Sequence, residues 1–361
     1  MEQELRLMKG NEAIAEAAIR AGVDAYYGYP ITPQSEVMEY LMAEQPEKRT
    51  GMVVLQAESE VSSINMVYGA AGSGKRSMTS SSSPGVSLMQ EGISYIAGAE
   101  LPCVLVNVVR GGPGLGTIQP SQADYFQSTK GGGHGDYRLI TLAPSSVQEM
   151  YDFLITAFDL AEKYRNPAMI LTDGAIGQMM EKVVLSEQKP RRTEEEINKA
   201  FPWATTGRSG SNRRIITSLE LDPARQEQVN LHLQAKYAEV EEKEVRFEKV
   251  QCDDADYVLV AYGTSARLCQ QTVKMAREKG IKLGLLRPIT LWPFPKKEIA
   301  SLINQGVKGF LSVEMSAGQM IEDVQLAAAG KVPAAHFGRF GGMIASPEEI
   351  LENLEQKIIG G

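Results

Sequence analysis

Cysteine and histidine are scarce in this chain: three of each occur in 361 residues. Cys103, Cys252 and Cys269 are scattered and odd in number. They exclude a disulfide scaffold, and their spacing holds no zinc or iron–sulfur cluster on this chain alone. Cys103 sits in the apolar run Pro102–Val109 and reads as a core thiol. Positive charge is in deficit, with 37 Lys and Arg against 45 Asp and Glu, a net charge of -8 that disfavours nucleic acid as a partner. No segment approaches the ~18 consecutive apolar residues of a membrane span. Residues 1–9 carry charges and lack an apolar core, so no signal peptide and a cytoplasmic location are expected. Tandem repeats and long low-complexity tracts are also missing.

What is present fits a globular enzyme of two domains: 43% hydrophobic and 23% charged residues over 361 positions. The first half alternates helical and strand-like segments. Asn11 is the expected cap of an alanine-rich helix that runs to Arg20 and stops at Gly22. Strands are expected at Val23–Tyr27, Met52–Leu55, Arg76–Ser80, Cys103–Val109, Leu139–Leu142 and Ala168–Leu171, with Met52–Leu55 read as buried. Helical spacing covers Gln34–Ala43, Glu60–Ala71, the stretch ending at Ala97, and Val147–Tyr164. This alternation predicts an α/β fold with a mainly parallel sheet covered by helices. The run Ala235–Lys249 is highly charged and reads as a solvated helical arm. A second βα series runs from Tyr257 to a last short strand near Ala334–Phe337. The expected organisation is an α/β domain over 1–200, a charged linker or arm over 201–250, and a smaller α/β domain over 251–361.

The loop after the first of these strands reads Gly28-Tyr29-Pro30-Ile31-Thr32-Pro33-Gln34-Ser35-Glu36. Pro30 and Pro33 fix φ on both sides of Thr32 and restrict the residues before them. The Thr32 hydroxyl is thus presented on a stiff loop at the carboxyl end of a strand, where open α/β sheets bind ligands. A rigid turn with Thr32 or Ser35 capping the next helix explains the same residues. Arg110 closes another apolar strand and opens the glycine loop Gly111–Gly116. A guanidinium there suits a carboxylate, or a surface ion pair. The loop lacks dinucleotide spacing and reads as a flexible substrate loop. Glu58 and Glu60 begin a helix. They are ordinary N-terminal charge, or one points into a cleft to meet a protonated ring nitrogen. His134 stands alone among glycines with no metal constellation. Gly69–Lys75 has P-loop spacing, but Arg76 replaces the magnesium-binding Ser or Thr, and the glycines end a helix rather than precede one. A P-loop NTPase and a non-catalytic scaffold subunit are the readings from other classes.

Taken together, Gly10-Asn11-Glu12-Ala13, Tyr29–Glu36, Gln56–Glu60, Ser83-Pro84-Gly85, Met89–Gly92, Arg110–Pro113, Leu142–Glu149, Leu286–Ile289 and Trp292–Pro295 resemble the α subunit of 2-oxoacid:ferredoxin oxidoreductases. The resemblance spans essentially the whole chain. It is nearest the 2-oxoisovalerate (branched-chain) subgroup, with the 2-oxoglutarate subgroup next. It implies a thiamine-diphosphate pyrimidine-binding-type domain followed by a transketolase C-terminal-like domain. The implied reaction is oxidative decarboxylation of a 2-oxo acid with CoA to acyl-CoA and CO2, electrons passing to ferredoxin. Glu60 matches the family's glutamate on the aminopyrimidine ring, because the family's distance from that glutamate to the helix-ending glycine reaches Gly69. Thr32 and Arg110 match residues on the substrate carboxylate, and Pro30 and Ile31 border the cofactor. The chain departs from a complete thiamine site in lacking Gly-Asp-Gly; Gly135-Asp136-Tyr137 comes nearest. The resemblance therefore implies activity only with a β subunit that supplies Mg²⁺–diphosphate binding and a [4Fe–4S] cluster. Smaller γ and ferredoxin-like δ subunits are further candidate partners.

Overall fold

The structure, a computed structural model, describes residues 4–207 and 213–360; residues 1–3, 208–212 and 361 of the expected domains and arm lie outside the described residues. In chain order the strands are β1 (Glu4–Lys9), β2 (Ala25–Gly28), β3 (Val53–Gln56), β4 (Ser77–Ser81), β5 (Val104–Val109), β6 (Ile140–Leu142), β7 (Ala168–Asp173), β8 (Met180–Leu185), β9 (Phe247–Val250), β10 (Tyr257–Val260), β11 (Leu283–Pro288), β12 (Thr290–Trp292), β13 (Gly309–Glu314) and β14 (Ala334–Gly338). A seven-stranded sheet runs β12-β6-β7-β5-β4-β2-β3. It is parallel except for β12, which lies antiparallel to β6. A five-stranded sheet runs β14-β13-β10-β11-β9, with only β9 antiparallel. β1 and β8 pair as a separate antiparallel ribbon.

β4 to β7 are buried along their whole length, as apolar parallel strands covered on both faces must be. Helices Gly10–Arg20 and Val147–Tyr164 cover one face through Ile14, Tyr151, Leu154 and Phe158. Helices Glu60–Gly72 and Pro84–Gly98 cover the other through Ile64, Val67 and Ile93. That second cluster continues into Val258, Leu286 and Phe310, so the two sheets share one apolar core.

Three expectations are corrected. Asn11 is not a cap: Lys9 precedes the helix, and Glu12 accepts the Lys9 amide at 2.9 Å. Asn11 is instead buried and reaches across to the loop after β2. β3 is an edge strand rather than a buried one, with Val53 and Leu55 both exposed, because nothing pairs beyond it in the sheet. The charged arm is not free in solvent. Its helix is Pro223–Lys243, which buries Leu233, Tyr237 and Val240 and sets Tyr237 edge-on to Trp292 at 5.7 Å. The chain then continues as strand β9.

Arg76 is taken up in the fold. It holds Glu162 at 2.8 Å through Nε, and Arg192 holds the same carboxylate at 2.5 Å. Burial opposes ionisation of Glu162, but the bonds from Arg192 and Arg76 outweigh it and hold the carboxyl at about 2, below the ordinary 4.5. A depressed folded value stabilises the native state above pH 4.5 and loses that effect as pH falls toward 2. We expect Glu162→Gln to cost ~2–3 kcal/mol at pH 7 and to flatten the dependence of the urea midpoint on pH between 4.5 and 2. Parallel pH profiles for variant and wild type would refute this.

Candidate active site at the carboxyl ends of the first sheet

β2 and β4 are neighbours from which the chain departs in opposite directions, the switch point where such sheets bind ligands. The loop after β2 is held from below. Tyr26 Oη meets Ser80 Oγ at 2.8 Å, Ser80 Oγ donates to Gln34 Oε1 at 2.6 Å, and Gln34 Nε2 donates to the Tyr29 carbonyl at 3.1 Å. Asn11 Nδ2 donates to the Pro33 carbonyl at 2.7 Å and to Glu36 at 2.9 Å. Gly28 has no room for a side chain, since a Cβ would lie 2.3 Å from Tyr26 Oη. Pro30 and Thr32 are left exposed, and Ile31 is half-buried.

Arg110 follows β5 and is buried. Its Nη1 donates to the Thr32 carbonyl at 3.0 Å and its Nη2 to the Leu115 carbonyl at 3.2 Å. Its Nε is buried without a partner. No carboxylate pairs with this guanidinium among the described residues. A buried cation bonded only to neutral carbonyls is poised for an anion.

Ser59 caps the helix after β3 by accepting the Ser62 amide at 3.2 Å, which separates the two glutamates. Glu58 is exposed and accepts from Ser62 Oγ at 3.2 Å. Glu60 is only 6% exposed, and its carboxylate receives no hydrogen bond among the described residues. It rests against Gly85, where a Cβ would lie 2.6 Å from Glu60 Oε1 and 2.1 Å from Ser81 Oγ. The hydroxyls of Ser81 and Ser82 are buried there and also unpartnered. An ionisable group and two hydroxyls left unpaired beside a bare glycine fit a polar ring more readily than a finished core.

The turn 81–85 joins the two halves of the site. Glu60 packs on its Gly85 end, while Ser83 Oγ bonds the Arg110 backbone amide at 3.1 Å. Ser83 itself adopts φ +23. Behind it, Asn107 accepts the Ser83 amide at 3.1 Å and donates to Asp124 at 2.9 Å. Burial pushes the Asp124 pKa up, and the Asn107 bond only partly offsets it. A cleft of about 710 Å³ opens beside this turn, lined by Ser83, Pro113, Asp124, Gln319 and Phe340 among others. The structure thus brings Thr32, Arg110 and Glu60 around one turn. His134 is exposed, with its ring 5.9 Å from Tyr95, and touches none of them. Lys75 faces Asp24 at 3.9 Å at the amino end of β4, so no phosphate cradle forms there. Among the described residues no His, Cys, Asp or Glu cluster could hold a metal ion. No described helix is long and apolar enough to cross a membrane.

A parallel sheet with an unpaired buried glutamate at its carboxyl edge defines a thiamine-diphosphate-binding type of oxidoreductase. Residues 16–251 match the pyruvate flavodoxin/ferredoxin oxidoreductase, thiamine diphosphate-binding family, and residues 255–350 match core domain II of pyruvate:ferredoxin oxidoreductase. The chain belongs to the 2-oxoacid:ferredoxin oxidoreductase family. It is 49% identical to the ketoisovalerate oxidoreductase subunit VorB of Methanothermobacter thermautotrophicus, over 97% of each chain. It is 38% identical to the 2-oxoglutarate synthase subunit KorA of the same organism, over 95% of this chain and 96% of that one. The structure of 2-oxoglutarate:ferredoxin oxidoreductase from Magnetococcus marinus, with 2-oxoglutarate, coenzyme A and succinyl-CoA bound, superposes with a TM-score of 0.84 at 26% identity. That match covers 98% of this chain and 65% of the other. The relatives are named as subunits, so this chain works within a multi-subunit oxidoreductase.

Proposed function

We propose that this chain is the α-type subunit of an oxidoreductase that converts a branched-chain 2-oxo acid, 2-oxoisovalerate foremost, and CoA to acyl-CoA and CO2. The balance is R–CO–COO⁻ + CoA–SH → R–CO–S–CoA + CO2 + H⁺ + 2 e⁻, with ferredoxin taking the electrons. The observation that carries this reading is Glu60 and Arg110 flanking one turn, the first without a hydrogen bond and the second without a counter-ion. The higher identity to the ketoisovalerate subunit, 49% against 38%, supports the branched-chain substrate.

Thiamine diphosphate, when bound, supplies the carbanion chemistry that cleaves the bond to the carboxylate. Glu60 shares a proton with the pyrimidine ring nitrogen and, being buried, does so without competition from water. Arg110 holds the carboxylate of the oxo acid, with Thr32 beside it, and Pro30 and Ile31 border the cofactor on the braced loop. We assign the first sheet to the pyrimidine half of the site. The diphosphate, its Mg²⁺ and a [4Fe–4S] cluster belong to a β subunit, with γ and ferredoxin-like δ subunits completing a cytoplasmic assembly.

The surface supports such a partner. Val53 and Leu55 on the edge strand β3, Val61 and Met66 on the helix that begins at Glu60, and Leu88 and Tyr95 on the next helix are exposed large hydrophobics. An unpaired strand edge beside apolar side chains is a surface built to be covered. The test is oxo-acid-dependent viologen reduction with thiamine diphosphate, Mg²⁺ and CoA. The chain alone should show none. The complex assembled anaerobically with its β and smaller subunits should turn over, in the order 2-oxoisovalerate, 2-oxoglutarate, pyruvate. A cofactor-loaded complex inactive on every oxo acid would overturn the reading, and a different order would reassign the substrate.

A further inference from the structure

The second sheet has a ligand crevice of its own, and this chain fills it. β10 lies between β11 and β13, and the connections from β10 leave in opposite directions. The crevice beyond the carboxyl ends of β10 and β13 is where doubly wound sheets hold a small molecule. Here Gln122, from the segment after β5, occupies it and is only 2% exposed. Its Nε2 donates to the Tyr262 carbonyl at 2.8 Å, beyond β10. Its Oε1 accepts from Ser265 Oγ at 2.7 Å and from the Met315 amide, beyond β13, at 2.9 Å. Its backbone amide donates to the Met315 carbonyl at 2.9 Å, and its carbonyl accepts from Tyr262 Oη at 3.2 Å. The nearby helix N-terminus is also used internally, since Glu314 accepts the amides of Gln319, Met320 and Ile321 at 2.9, 2.9 and 3.0 Å.

From this crevice a hydrogen-bonded line leads to the substrate arginine. Two residues beyond Gln122, Asp124 accepts from Asn107, Asn107 accepts the Ser83 amide, and Ser83 Oγ takes the Arg110 amide. On the near side, Pro120 bridges to Arg110, and the Gly111 amide donates to the Gln119 carbonyl at 2.9 Å. The excursion 111–119, whose Leu115 carbonyl accepts from Arg110, is therefore closed at its base and clamped on its return by Gln122.

We propose that Gln122 is a positioning residue for the 2-oxo acid. The second sheet uses its crevice as a socket for Gln122, and through Asp124, Asn107 and Ser83 this socket fixes the guanidinium of Arg110. The inference rests on the reading that Arg110 binds the carboxylate.

The experiment measures KM and kcat for 2-oxoisovalerate and for CoA in the assembled complex. Gln122→Met keeps the length and removes the side-chain hydrogen bonds. We expect its oxo-acid KM to rise about tenfold, with kcat within about twofold and the CoA KM unmoved. Ser265→Ala removes one of those bonds and should shift the oxo-acid KM the same way by less, which keeps the test open should Gln122→Met fail to assemble. Thr264→Val removes a different buried bond between the two parts, to Asp173 at 2.9 Å, and should leave the oxo-acid KM unchanged although it destabilises. Arg110→Lys is run alongside. A raised KM in Arg110→Lys with wild-type values in both Gln122→Met and Ser265→Ala overturns the positioning role alone. An equal rise in Thr264→Val overturns it as well, as mere loosening between the parts. No effect in Arg110→Lys removes Arg110 from the substrate, and this proposal with it.

Discussion

In the assembled enzyme, Glu60→Gln lowers kcat by about 10²–10⁴, the contribution of a well-placed proton-transfer group. The direction of its effect on stability makes the prediction sharp. Glu60 is 6% exposed, and its carboxylate has no hydrogen-bond donor among the described residues. A buried, unpaired carboxylate costs folding free energy, and an amide of the same shape relieves that cost. Glu60→Gln should therefore melt no lower than the wild type while losing most of its turnover. A residue there for packing would behave the opposite way. Glu58→Gln is the matched control. That side chain is exposed and bonded only to Ser62, so its turnover should stay within about twofold, the range of surface substitutions. Steady-state turnover and a melting curve on each complex decide the matter. Full turnover in Glu60→Gln would remove Glu60 from the site.

Much of this arrangement is legible in the chain because it is local. Parallel strands buried on both faces read as apolar runs, so β5 and β7 fall within a residue or two of where the run Cys103–Val109 and its partner Ala168–Leu171 place them. The carboxyl end of each run then points to Thr32, Arg110 and the two glutamates without further help. Choosing between Glu58 and Glu60 is a matter of helix phase. Ser59 takes the cap, which turns Glu58 outward and the first helical residue, Glu60, inward. What the chain hides is long-range. β12 joins β6 and β8 joins β1, and no local pattern encodes a pairing across so many residues. Asn11 looked like a cap because its residue type suits one. Its side chain is instead claimed by Pro33 and Glu36, twenty-odd residues away. Asn107 did carry a signal, one amide within a wholly buried run Val104–Val109, and a buried amide needs partners. Gln122 carried none. It sits in a polar stretch, and only the second sheet gives it a crevice to enter.

Arg110→Ala should raise the KM for the oxo acid by about 10–100-fold, the worth of a charge-assisted hydrogen bond of roughly 1.5–3 kcal/mol. Two effects are mixed in that figure, because Arg110 also donates to the Thr32 and Leu115 carbonyls. Losing those bonds loosens the loops whether or not the guanidinium meets substrate. Arg110→Lys separates them in part, since it keeps the charge but not the planar fork. The cleaner separation comes from the substrate. The methyl ester of the same oxo acid carries no charge and should bind the wild-type enzyme poorly. If Arg110 recognises the carboxylate, the preference for acid over ester collapses in Arg110→Ala, because the acid loses its partner and the ester has none to lose. If Arg110 only braces the two loops, acid and ester weaken together and the preference survives. Competition of each compound against 2-oxoisovalerate turnover gives both constants. A preserved ratio would leave Arg110 as a brace and return the buried cation to the fold.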